Sequence, residues 1–368
     1  MEVIKGEHMF SKSRLPSTLI GSVATIALLA ACAGGADSGS STSSESSEGS
    51  TASGDKFRIV TVSKIEGITW FQRMSEGVDM FNDEYSDVVE AYQTGPQNHD
   101  PAEQIQIVED LIAQGVDALI VVPIDPVGMG PLLQRARDAG IIVGVTEATA
   151  LVDSNEVDFD VEAFDNNTFG RGFGEGLCER MGGTGQYATS VGQLTSESHM
   201  LWLQGAIEYI EENCPDMENV SPTPFENKND DQVGYDLAKE ILGTFPDLGG
   251  YIGTTPAGVS GMARALAEAN KTDIVNTGLS LPSVVGPEFA EGWSAYAQGW
   301  DPAGWGWALN AVALKLLQGE EVSEGAGLGW PGYESIKIVR ENGGSLLIEG
   351  NDIQPYDSTT FPDGIYPF

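Results

Sequence analysis

Residues 101–122 read PAEQIQIVEDLIAQGVDALIVV, an amphipathic stretch followed, after one glycine, by a strongly apolar run. The first part predicts a helix over 101–114, with Asp100 as its cap and proline at its first position. The second predicts a strand over 116–122. Working outward, the same alternation gives a strand over 57–62, a helix over 69–85 and a strand over 88–93 before it. A helix over 130–139 and a strand over 141–145 come after it. Such βαβ repetition implies a parallel sheet covered by helices on both faces.

A second set follows in the same style. Helices are expected over 168–181, 198–213, 231–244, 261–269 and 284–291, with strands over 186–190, 220–224, 248–253, 274–277 and 295–299. Two parallel-sheet units set loops at the carboxyl ends of two sheets, and facing loops make a cleft. Asp301 and Pro302 then open a helix running to about 318. The last fifty residues are rich in Gly and Pro, with one alternating run over 334–339, and no repeat of solenoid length is evident.

The N-terminal sequence points to export. Lys12 and Arg14 precede an apolar run over 19–31 that ends in Leu29-Ala30-Ala31-Cys32, the pattern of a signal peptide (1–31) with a lipid-accepting cysteine. The run is short for a membrane-spanning helix, and Met9 makes a better start than the acidic residues before it. Residues 34–55 are almost entirely Ser, Gly, Thr, Ala, Glu and Asp, too polar to offset the entropy of ordering, so 32–55 is expected to be a lipidated cysteine and a disordered tether. The expected location is extracytoplasmic, on the cell membrane through Cys32.

The rest is long enough for two domains, and at 41% hydrophobic the chain can build real cores. A formal charge of −37 makes nucleic acid and anionic lipid surfaces poor partners. Solubility, as in salty surroundings, explains the acidity better than a cationic ligand. Cys178 and Cys214 sit near the ends of two helices flanking one short strand, and in an exported protein they are expected to pair.

The order of these pieces resembles the type I periplasmic binding proteins, the sugar-binding superfamily of ABC importers, over nearly all of 57–368. The segments that carry the likeness are IVTVSKIEGITWF (59–71), DLIAQGVDALIVVPID (110–125), RDAGIIVGVTEA (137–148), FDNNTFGRGFGEGL (164–177), GLSLPSVVGPEFAEG (278–292) and QGWDPAGWGWAL (298–309). Lys64 and the pair Trp300-Asp301 are similar to the autoinducer-2 and rhamnose receptor branch. The resemblance implies an α/β fold of two Rossmann-like lobes with parallel sheets, joined by a three-strand hinge. Lobe one would hold 56–163 and about 300–322; lobe two would hold 164–299 and about 323–368.

It also implies a ligand-binding set. Lys64 would donate to ligand oxygens. Trp70 and Phe71 match the superfamily's aromatic pair, whose faces stack on a sugar ring. Glu147 stands where the family usually has Asp, and a carboxylate accepts paired hydroxyl bonds. Ser198 and His199 replace the branch's Asp-Gln pair, Thr254 and Thr255 replace its backbone and apolar contacts, and Trp300 with Asp301 completes the ring. The departures at Ser198, His199 and Thr254 weaken autoinducer-2 as ligand and leave a monosaccharide or polyol. The partners implied are that small sugar-like molecule and an ABC permease, with the binder a monomer needing no cofactor. Three histidines in the whole chain make no zinc cluster.

The rival readings fare worse. For an exported hydrolase there is no Gly-x-Ser-x-Gly elbow, P-loop or HExxH. A transcription regulator would need a basic helix-turn-helix ahead of Phe57, where the signal peptide and tether stand instead. A receptor reporting to a membrane sensor kinase shares every feature of the importer reading.

Overall fold

A computed structural model describes residues 56–368; the expected signal peptide, Cys32 and the tether lie outside the described residues. The chain runs β1 (Phe57–Val62), α1 (Thr69–Glu84), β2 (Val89–Thr94), α2 (Pro101–Gln114), β3 (Ala118–Val121), α3 (Pro126–Asp138), β4 (Ile142–Val145), α4 (Ala150–Asp153) and β5 (Phe159–Glu162). It continues through α5 (Asn166–Met181), β6 (Thr184–Val191), α6 (Glu197–Asn213), β7 (Asp216–Asn219), β8 (Phe225–Glu226), α7 (Asp231–Thr244), β9 (Leu248–Gly253), α8 (Pro256–Ala269), β10 (Val275–Leu279), α9 (Pro282–Glu291) and β11 (Tyr296–Gly299). It ends with α10 (Pro302–Leu317), β12 (Lys337–Asn342), β13 (Ser345–Glu349) and β14 (Gln354–Tyr356).

The strands form two sheets, ordered β12-β13-β5-β4-β3-β1-β2 and β14-β11-β10-β9-β6-β7, with β8 beside β6. Among the described residues only β12 with β13 and β11 with β14 pair antiparallel. Every residue of β3 is buried, as an interior parallel strand with helices on both faces requires. The result is an α/β protein of two parallel-dominated lobes. The chain crosses between them after β5, between β11 and α10, and between β13 and β14.

Two details differ from the expectation. The expectation that about 323–368 completes the second lobe fits only β14 in the second sheet, because β13 pairs in parallel with β5 and carries β12 with it into the first. The sequence conceals this because β5, which offers the edge, reads FDVE and contains two carboxylates. The strand expected over 220–224 lies at β7 instead, a polar edge strand reading DMEN.

Helix contacts explain the glycine-rich run in α5. A Cβ on Gly170 or Gly174 would strike the α6 backbone at Trp202 and Ala206, so these glycines let the two helices pack closely. Cys178, near the end of α5, and Cys214, just past α6, form a disulfide. Gly77 of α1 approaches the Ala303 backbone of α10 in the same way, which fastens α10 to the first lobe.

Candidate functional site

The cleft is built from the carboxyl ends of strands in both lobes. After β1, the loop carrying Lys64 is pinned by Gln104 of α2, whose buried amide donates to Ser63 O (2.9 Å) and Val122 O (2.8 Å) and accepts from Ile124 N (3.0 Å). Lys64 Nζ then pairs with the Glu147 carboxylate, supplied by the turn after β4, and lies 3.3 Å from Ser196 Oγ across the cleft. Ser198 Oγ, on α6 of the second lobe, donates to the same Glu147 oxygen at 2.8 Å. Beside it Thr149 Oγ1 donates to Glu197 Oε1 (2.6 Å), another bond between the lobes.

Two imidazoles border this pair. His199 Nδ1 accepts from Gly192 N at 3.2 Å, which requires a neutral ring. His99, in the loop after β2, meets Asn229 of the second lobe at 2.9 Å. Burial, then the Lys64 charge, pushes His99 down to about 3, and burial with Lys64 and His99 pushes His199 well below the usual range. With Ser198 spent on Glu147 and His199 on Gly192, neither is arranged as nucleophile and base. Among the described residues no group of three His, Cys, Asp or Glu side chains is placed to hold a metal.

Six of the ten expected ligand residues, Lys64, Trp70, Phe71, Glu147, His199 and Thr255, surround a narrow cavity of about 30 Å³ together with Ile68, Asn229, Pro256 and Leu279. It adjoins a wider one of about 220 Å³, with Ile68, Trp70, Asn229 and Pro256 in both walls and Leu281 and Val284 beyond. Ser198 reaches the site through Glu147.

The other three line neither cavity. The Thr254 hydroxyl turns back onto Ser190 O (3.3 Å). Trp300 is buried behind Trp70, edge to face at 4.5 Å, within a cluster of Phe164, Phe169, Trp202 and Trp305. Asp301 is held by both prongs of Arg73 (2.9 and 2.8 Å) and caps α10 through Ala303 N. Those bonds hold the Asp301 carboxylate against α1 and the first turn of α10.

Asn229, in the walls of both cavities, and His99, its partner, are not among the residues expected from the sequence. Asn229 follows Lys228 in a left-handed turn (φ 52° and 57°). The signal available was an asparagine, tolerant of that backbone, just before a capped helix.

A family model for the periplasmic binding protein domain matches residues 59–321. Two curated proteins are similar. The D-ribose/D-allose-binding protein of Pseudomonas aeruginosa is 37% identical over 90 residues, 24% of this chain and 28% of that protein. The xylitol-binding protein of Mycolicibacterium smegmatis is 26% identical over 183 residues, 50% of this chain and 51% of that protein. The chain thus spans between about a quarter and a half of the length of these curated relatives. Among solved structures, LsrB from Clostridium saccharobutylicum in complex with AI-2 superposes with a TM-score of 0.75 at 17% identity, covering 84% of this chain and all (100%) of that one.

Proposed function

The chain belongs to the periplasmic binding protein domain family, and from that premise we propose that it is an extracytoplasmic binder of a neutral monosaccharide or polyol, which it delivers unaltered to an ABC permease. One observation carries the reading. Among the described residues, the one cation and the one anion in the walls of the narrow cavity are paired with each other and His199 beside them is neutral, so that end of the site offers hydroxyl partners without net charge, with Asp231 the one carboxylate in the wall of the wider cavity. Glu147 Oε2 takes the bonds from Lys64 and Ser198, which leaves Oε1 for a ligand hydroxyl. The Trp70 ring supplies an apolar face for sugar C–H groups, with Trp300 holding it from behind. His199, Asn229 and Thr255 complete the ring. The names of both curated relatives, ribose/allose and xylitol binders, support the class.

Titration calorimetry against a panel of neutral sugars and polyols, an amino acid and a nucleoside tests the class. Heat from a sugar or polyol is expected; heat only from the amino acid or nucleoside rejects it. The binder is anchored through a lipid on Cys32, with 32–55 as its tether. Cys32→Ser should move it from the membrane to the soluble fraction, and an unchanged partition rejects the anchor.

A further inference from the structure

Asp160 and Glu162 lie two residues apart on β5, so their side chains leave the same face of the strand. Both are buried. The turn after β4 folds over them: Glu147 N–H donates to Glu162 Oε1 (2.8 Å), Ala148 N–H to Asp160 Oδ2 (3.2 Å), and Thr146 Oγ1 to Val161 O (2.7 Å). Glu147 thereby holds a left-handed backbone, φ 57°. That conformation costs a non-glycine residue roughly 1 kcal/mol, and it sends the Glu147 carboxylate to Lys64 and Ser198. Glu162 Oε2 also accepts from Asn166 Nδ2 (3.1 Å), and Asn166 from Trp202 Nε1, which links the turn to the first crossing and the core of the second lobe.

Asp160 Oδ1 is buried and has no donor among the described residues. The two carboxyls leave one face of β5, and the 146–148 turn bonds one oxygen of each. Two carboxylates cannot bond to one another, whereas one proton between them supplies the missing donor. We propose that Asp160 and Glu162 are positioning residues for the ligand site, and that a proton held between them fixes the 146–148 turn and so aims Glu147 into the cleft. The inference rests on the reading of Glu147 as a ligand contact.

The surroundings favour keeping that proton. Burial, then the charges of Glu197 and Glu147, pushes Asp160 up to about 7 against the lowering bonds from Glu162 and Ala148. Burial with the charges of Asp160 and Glu147 pushes Glu162 well above the usual range. Lys64 answers Glu147 from the end of β1, and the buried Tyr333 hydroxyl feels Glu162. Glu349, the register partner of Glu162, responds instead to Asp165, Lys337 and Arg340. Loss of the shared proton as pH rises puts an added negative charge beneath Glu147 and loosens the turn. Affinity therefore falls on the alkaline side.

The probes are D-ribose and xylitol, titrated calorimetrically from about pH 6 to about pH 9. The wild type should weaken by up to about tenfold per unit above neutrality. Asp160→Asn, whose amide is a permanent donor to Glu162, should flatten the profile, and Asp160→Ala should bind weakly throughout. A flat wild-type profile, or Asp160→Asn with the wild-type slope, overturns the proposal. Infrared spectra of the protein without sugar give a second readout: a protonated-carboxyl band near neutrality that Asp160→Asn removes. Absence of that band overturns the proposal even where neither probe binds. A band with no sugar binding supports the shared proton and rejects the sugar reading.

Discussion

Lys64 and Glu147 expose 3% and 7% of their side chains, so each depends on the other for compensation of its charge. A buried pair of this kind is a weak source of stability when intact and a large liability when halved, because removing one partner strands the other. Lys64→Met should lower the unfolding free energy by about 3 kcal/mol in urea denaturation, and adding Glu147→Gln should recover most of that loss. A single-variant loss below about 1 kcal/mol would show that water reaches the pair and compensates the remaining charge. Binding responds differently, since neither the single nor the double variant keeps the carboxylate and ammonium that the ligand hydroxyls are proposed to meet. Stability recovered without affinity separates the two roles of these side chains.

Elements with a strong local signal were legible, and those that break their own pattern were not. β1, α2, α7 and β9 lie where apolar period and capping residues put them. α3, α8 and α9 start earlier than their periodicity suggests, at Pro126, Pro256 and Pro282. Proline at the first position starts these helices, while glycines such as Gly128 and Gly258 in the first turn hide the apolar stripe. β5 was invisible because Asp160 and Glu162 make a fully buried strand look like a polar loop. With β5 hidden, nothing in the sequence marks the edge that takes β13, and with it β12, into the first sheet. The site divides along the same line. Lys64, Glu147 and Thr255 follow strands at their carboxyl ends, where position alone suggests a role, whereas Asn229 sits in a polar loop whose left-handed turn leaves little trace in composition. Thr254, Trp300 and Asp301 occupy similar positions, yet a backbone bond, aromatic packing and Arg73 engage their side chains and none lines either cavity.

At the scale of the molecule, the lobe closure that the proposed function requires runs through the three crossings, and Asp352 joins them. Its backbone N–H donates to Ala163 O (3.0 Å) in the first crossing, and its Oδ2 accepts from Asp301 N (3.1 Å) in the second. Its Oδ1 accepts from Gln354 Nε2 (2.6 Å) at the start of β14, so one buried residue in the third crossing ties the other two together, the first through its backbone and the second through its side chain. Burial pushes the Asp352 carboxyl up, against the lowering bonds from Gln354 and Asp301. Arg73 of α1 grips Asp301 from the first lobe, so the second crossing is anchored from both sides. Removing the Asp352 side chain leaves its own backbone bond to Ala163 but frees the second crossing from the third. Because the lobes meet through short polar contacts such as Ser198 with Glu147 and Thr149 with Glu197, small changes in hinge angle should break several at once. Asp352→Ala should therefore raise the open population, seen as a larger radius in solution scattering without sugar, and weaken sugar binding by up to about tenfold. Asp352→Asn keeps an acceptor in the same place and should restore both. If the scattering curve and affinity of Asp352→Ala match those of the wild type, the hinge is set by the lobes' own packing and the tie among the crossings has no part in closure.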